Sequence, residues 1–185
     1  MKPVRQAVMA VFFALAPLGL QAPDAAAQRV DQPKPPVVLE GYGYEYLPRG
    51  QVHKFYCEVP ECVPGSKVSY TLYAPEKNPD FEKFKSDAKY ILDYMESRLP
   101  PGATITLGQQ EKTEERLFTT FTSTRTMQLA NGVEQVTVST LVYTTNFTIS
   151  VISSAENRET AETNKAGFLV GLLTWSETLN QQGPR

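Results

Sequence analysis

Apolar and polar positions follow different periods along this chain, and each change of period marks an element. The first is a mostly apolar, uncharged run from Ala7 to Leu20, preceded by Lys2 and Arg5 and followed by a small-residue stretch ending at Ala27. A positive start, an apolar middle and small residues at Ala25 and Ala27 predict a cleavable export signal over 1–27, cut before Gln28. The run falls short of the roughly 20 residues of a membrane span, and Pro17 interrupts it. No later stretch is long and apolar enough to cross a bilayer, so the mature chain is expected to be soluble, without a transmembrane span.

Residues 28–50 read as a Pro- and Tyr-rich linker or arm. Pro33, Pro35 and Pro36 stand among polar residues, and Tyr42, Tyr44 and Tyr46 then alternate with Gly43 and Glu45. Period-two aromatics describe an extended segment with one aromatic face, either an edge strand or an arm lying on the domain. Exposed, such a stripe would bind a partner by strand addition.

Residues 51–185 are expected to form a single domain. A short strand covers 52–58 and a better one runs from Lys67 to Tyr73, with Val68, Tyr70 and Leu72 on one face. Asn78 as N-cap and Pro79 at the first helical position open a helix. Its apolar stripe is Phe81, Phe84, Ala88, Ile91, Leu92, Met95 and Leu99, and Pro100, Pro101 and Gly102 end it. From Thr104 to Ser153 the chain is rich in Thr, Val, Phe and Tyr, which suit strands. The expected strands are Ile105–Leu107, Arg116–Leu129, Val133–Tyr143 and a last one carrying Phe147, Ile149 and Val151. Glu111 to Glu115 reads as a charged turn, and Asn131-Gly132 as a type I′ hairpin turn. Ser153 and Glu156 have capping-box spacing before a final helix with Phe168, Leu169, Leu172, Trp175 and Leu179 on its apolar side. Gly167 and Gly171 would let that helix approach the sheet closely.

The predicted order is β-β-α-β-β-β-β-α: an α+β fold with a mostly antiparallel sheet of five to six strands and two packed helices. In element order the chain resembles the PsbP-type extrinsic proteins and other small secreted α+β domains. The resemblance is one of order, which implies a fold and no function.

Charge and cysteine content narrow the function classes. A formal net charge of −2 without any basic run excludes a phosphate-neutralising surface, so no nucleic-acid partner is expected. The two cysteines, Cys57 and Cys62, are expected to form a disulfide in an exported chain; Pro60 between them favours a turn. Their spacing is not that of a thiol oxidoreductase. With both sulfurs bonded, a metal set of His53, Cys57, Cys62 and Glu58 or Glu61 would lack its thiolates, and no metal or cofactor is expected.

His53 is the one histidine, so any proton-relayed nucleophile would need it. Glu111, Glu114 and Glu115, and Glu156, Glu159 and Glu162, are the carboxylate groups a hydrolase could draw on; solvated turns and helix-dipole complementarity account for both. Lys83–Asp87 and Lys89–Asp93 are four-apart pairs on a solvated helix face. Asn146-Phe147-Thr148 matches a glycosylation acceptor. No phosphate-cradling loop, nucleotide fingerprint or calcium loop is present.

These features favour a periplasmic or extracellular binding module without enzymatic activity. Its partner would be a protein or an envelope component, with Tyr42, Tyr44 and Tyr46 as candidate partner-binding residues and no catalytic residue assigned. The alternatives are a hydrolase using carboxylates or His53 in a sheet–helix cleft, and a carrier of a small apolar ligand between the sheet and the C-terminal helix.

Overall fold

Aromatic and β-branched residues at alternate positions build a sheet larger than the pattern predicts. The computed structural model describes residues 34–58, 60 and 62–181. The expected export signal over 1–27 lies outside the described residues, as do the side chain of Leu179 and residues 182–185. The elements are β1 (Tyr42–Leu47), β2 (Val52–Cys57), β3 (Lys67–Tyr73), α1 (Phe81–Glu96), β4 (Thr104–Glu114), β5 (Thr119–Gln128), β6 (Glu134–Tyr143), β7 (Thr148–Ala155) and α2 (Arg158–Gln181).

The class is α+β and every strand pairing is antiparallel, as expected. The sheet has seven strands, not five or six. The additional strand is β1: the Tyr segment pairs with β2 along its whole length, from Tyr42 opposite Cys57 to Leu47 opposite Val52. Spatial order is β1-β2-β3-β7-β6-β5-β4. The chain therefore leaves β3, crosses through α1 to the far edge at β4, and meanders back until β7 lies beside β3.

Strand alternation divides the sheet into two faces. One carries Phe55, Val68, Tyr70, Val142, Ile149 and Val151, all buried, and α2 covers it with Phe168 and Leu172. Val136, Val138 and Ala155 extend this face towards Ala161 at the start of α2. The other face carries Phe121, Ser123 and Arg125 on β5, Ser139 and Leu141 on β6, and Ser150 and Ile152 on β7, as the register requires. On it α1 lies over β4 and β5, where Phe81 and Phe84 pack on Phe121 with ring centroids 5.0 and 5.6 Å away. The result is three layers, helix on sheet on helix.

Several boundaries differ from expectation for identifiable reasons. The N-cap of α1 is Asp80, not Asn78: its Oδ1 accepts from the backbone N–H of Glu82 at 2.8 Å and of Lys83 at 3.1 Å. Asp80 is extended, as an N-cap must be. The expected charged turn at Glu111–Glu115 is the end of β4, which runs to Glu114 with a register shift between Leu107 and Gln110. Past that shift Glu111 to Glu114 are all exposed, so no buried face imposes alternation on them, and charges there discourage edge pairing.

The Asn131-Gly132 hairpin forms, but only Gly132 has positive φ, at 82°. It is a longer loop, with a Leu129–Val133 backbone pairing and Gly in the left-handed position. Ser153 does not cap α2; it is buried in β7. Asn157 takes that role, accepting from Thr160 N–H at 2.9 Å.

The glycines of α2 receive the N-terminal segment, not the sheet. A Cβ on Gly171 would lie 2.7 Å from Val37 Cγ1, and one on Gly167 would lie 3.2 Å from Leu39 Cδ1. The Tyr70 hydroxyl holds the same segment, donating to the Val37 carbonyl at 3.2 Å and lying 3.4 Å from the Val37 N–H. Residues 34–39 thus run over α2, fixed by small residues beneath them and a tyrosine beside them.

Candidate functional site

The apolar stripe of α1 is longer than the surface it covers. Of its residues only Ala88 is buried, and Ile91 is 44% exposed. Because α1 sits over β4 and β5, its flank overhangs β6 and β7 without reaching them. A cleft of about 410 Å³ opens there, within the ~300–1,000 Å³ range of small-molecule sites. Phe84, Ala88 and Ile91 form its helix wall, with Leu141 and Ile152 opposite; Ser123, Ser139 and Ser150 supply hydroxyls to the floor.

The two ends of the cleft differ in charge. Glu76, Asp80, Lys83 and Asp87 line the end near the start of α1. Most of that charge is engaged: Lys83 pairs with Asp87 at 2.5 Å, and Asp80 caps the helix. Tyr143 is buried at this end, with its ring edge-on to Phe121 at 4.9 Å. Burial, then the nearby charges of Glu76 and Asp87, push its hydroxyl up to about 12. The other end belongs to Arg125. Its partner across the strand pair is Thr137, six residues before Tyr143, which places the two ends about 20 Å apart along the strands at ~3.3 Å per residue.

Tyr143 gives a prediction for alkaline stability. The unfolded chain loses this proton near pH 10 and the folded chain near 12. Between those values the folded state binds more protons, so stability is full below pH 10 and falls as pH rises towards 12. After allowance for solvent screening, the loss is on the order of 1 kcal/mol. Urea titrations at pH 9 and pH 11.5 should show it, and Tyr143→Phe should remove that part of the drop. An unchanged pH dependence in the variant would dismiss the assignment.

The residues singled out in the sequence lie elsewhere. Cys57 and Cys62 are joined in a disulfide with S–S 2.07 Å. Tyr42, Tyr44 and Tyr46 point to the α2 face and are half-buried. Tyr42 meets Phe168 edge-on at 5.8 Å, Tyr44 tilts against Phe55 at 5.2 Å, and Tyr46 tilts against His53 at 5.2 Å. His53 is buried between these rings and Tyr70, and its Nδ1 shares a 2.9 Å hydrogen bond with the Tyr44 hydroxyl. Burial lowers its pKa. His53 therefore lies on the opposite side of the sheet from the cleft, in an aromatic ladder.

The carboxylates are dispersed too. Glu111 and Glu114 stand exposed on edge strand β4, and Glu162 pairs with Arg158 and Lys165 on α2. Among the described residues no group of three His, Cys, Asp or Glu is placed to hold a metal ion, and no helix is long and apolar enough to cross a membrane. The layer between the sheet and α2, where the carrier alternative places an apolar ligand, is filled by Phe55, Tyr70, Phe168 and Leu172.

Sequence reasoning did not single out Arg125, Ser139, Ser150 or Tyr143. The available signal was weak: an Arg between Thr124 and Thr126 in a strand whose neighbours at the same alternation are Phe121 and Ser123. A charge on the face that carries a buried Phe marks a half-covered face.

No protein-family model matches the chain, and no curated protein matches it. Among solved structures it is similar to the solution structure of cyanobacterial PsbP (CyanoP) from Synechocystis sp. PCC 6803. Identity is 10% and the TM-score 0.41, over 70% of this chain and 88% of that one.

Proposed function

We propose that the protein is an exported binding domain without catalytic activity, and that it takes up a small ligand in the cleft between α1 and the sheet. The observation that carries this reading is the cleft itself: a helix whose apolar stripe is left partly open, with Ile91 exposed, over a floor of hydroxyls and two aliphatic residues. Exposed apolar side chains gathered in a concavity are what a ligand with an apolar body would cover. Export is supported by the pattern over 1–27 and by the Cys57–Cys62 disulfide. The absence from the cleft of His53 and of any close carboxylate pair free of other duties favours binding over hydrolysis.

The test uses the neutral dye N-phenyl-1-naphthylamine, which brightens in apolar sites. It is expected to bind the purified protein saturably. Ser150→Trp, which fills the floor, and Ile91→Glu, which charges an exposed wall position, should each weaken it at least 10-fold without moving the thermal midpoint. Saturable binding that ignores both substitutions, or no binding at all, refutes the cleft as the site.

A further inference from the structure

Of the two cations lining the cleft, Lys83 pairs with Asp87, and Arg125 has no ion pair among the described residues. Its side chain is half-buried, and among the described residues its guanidinium makes one hydrogen bond, from Nη2 to Ser139 Oγ at 3.4 Å. A guanidinium offers five N–H donors in a planar fork. Among the described residues no carboxylate lies within ion-pair distance of it. The acidic groups of the cleft do not offset it either. They sit at the far end, where Lys83 and the N-terminus of α1 already engage Asp87 and Asp80. Burial acts to lower its pKa.

A half-buried charge without an ion pair loses hydration that one neutral hydrogen bond does not replace, and this gains nothing for folding alone. The direction of the side chain makes the cost informative. Ser139 lies two positions from Arg125's own cross-strand partner, towards the middle of the cleft, so the bond to its hydroxyl turns the guanidinium inwards. Gln110, opposite Ser123 in the register of β4 and β5, adds a buried Nε2 without an acceptor on the same face of the sheet. Gln110 does not itself line the cleft, whose apolar walls beside the guanidinium are Ile91, Leu141 and Ile152.

From this juxtaposition we propose that the ligand is an amphiphilic organic anion: one carboxylate or sulfonate-like head received by the Arg125 guanidinium and the Ser139 hydroxyl, and an apolar body lying between α1 and the floor of β6 and β7. Planar bidentate pairing of guanidinium with an oxyanion supplies orientation as well as attraction. The acidic end of the cleft makes the preference directional. A single-headed anion has its apolar end near Glu76 and Asp87, whereas a molecule anionic at both ends would set its second charge against theirs. The proposal rests on the cleft being the binding site, and the experiment separates the two.

8-Anilinonaphthalene-1-sulfonate is N-phenyl-1-naphthylamine with a sulfonate added, so the ratio of their dissociation constants isolates the head group. The purified protein should bind the sulfonate at least 10-fold more tightly than the neutral dye. Arg125→Met should bring that ratio to about one, weakening the sulfonate far more than the neutral dye, and Arg125→Lys should retain part of it. Decanoate should displace the sulfonate at lower concentration than decanol or decanedioate. If both dyes bind equally and Arg125→Met changes neither, the anion preference is wrong while the cleft reading stands. If the sulfonate binds tightly but Ser150→Trp and Ile91→Glu leave it untouched, the dye sits elsewhere and both fall. Should Arg125→Met lower the thermal midpoint, neutral-dye binding that stays saturable and sensitive to Ser150→Trp shows that the cleft is intact and the ratio keeps its meaning.

Discussion

Phe168→Ala should destabilise the protein by about 3–5 kcal/mol, the cost of emptying a fully buried aromatic site. Phe168 is 0% exposed and joins three elements. Its ring centroid lies 4.7 Å from that of Phe55 on β2, 6.2 Å from Tyr70 on β3 and 5.8 Å from Tyr42 on β1. Phe168→Leu, which keeps most of the volume, should cost less than half as much. Urea denaturation gives the free energy. Trp175, two turns along α2 and stacked on Phe147 at 5.4 Å, is the single tryptophan in the sequence and reports the undocking of α2 by fluorescence. Hydrogen exchange should quicken first in β1, which is held to the core through Tyr42 and Tyr44 and has no strand beyond it. A loss under about 1 kcal/mol, or exchange that quickens uniformly, would show that the aromatic contacts are not what ties β1 to α2.

How much of this was legible in the sequence depends on whether each element's partner is local. The helix at Phe81–Glu96, the hairpin around Gly132 and the alternation in β3, β6 and β7 follow from residues close in sequence, and their type could be read directly. Strand β1 reads as extended from its alternation, but the ring that packs on its Tyr42, Phe168, lies more than a hundred residues away. The end of β4 reads as a turn in the sequence because its residues pair their backbone on one side and face water on the other; polar composition resembles a turn when no face is buried. Ser153 and Glu156 imitate a capping box by spacing alone. Burial of Ser153 between Val68 and Val138 in adjacent strands overrides that local preference.

The candidate site was less legible than the fold, for a related reason. Rare residue types draw attention in a sequence, and here they serve structure: His53 stacks among tyrosines, and Cys57 and Cys62 close a short loop. The cleft is made of common residues whose importance lies in what does not cover them. Ile91 belongs to an apolar stripe that looks complete in the sequence. Only the placement of α1 over β4 and β5 shows that part of the stripe lacks a partner. Arg125 looks like a surface residue of a Thr-rich strand until the register puts it on the face shared with Phe121 and Leu141. Strand parity could have raised that question, since Phe121, Ser123 and Arg125 alternate. Nothing local could have shown that no acid would meet the guanidinium.

Gly171→Val should unfasten the N-terminal segment from α2 and cost on the order of 3 kcal/mol. The first added atom, Cβ, would already lie 2.7 Å from Val37 Cγ1 and 3.3 Å from its Cγ2. Val37 is a short, stiff side chain that cannot swing clear, so the segment must lift. Lifting exposes Val37 and Leu39, both half-buried against the core, where full burial of such a side chain stabilises by ~1.5–3 kcal/mol. It also removes both contacts between the Tyr70 hydroxyl and the Val37 peptide, at ~0.5–1.5 kcal/mol for each hydrogen bond. The gain in helix propensity over glycine returns only about 0.5 kcal/mol. Gly167→Ala is the internal control with the opposite sign. Its Cβ meets only the flexible end of Leu39 at 3.2 Å, so a shift of a few tenths of an ångström suffices and the full helix gain of about 1 kcal/mol should appear. Adding Val37→Ala to Gly171→Val should recover part of the loss, since the two side chains compete for one space and their effects are coupled. Amide exchange over residues 34–39 distinguishes a lifted segment from a distorted helix. If Gly171→Val is as stable as the parent and the segment remains protected, the glycines are not a seat for the arm, and their spacing on α2 needs another explanation.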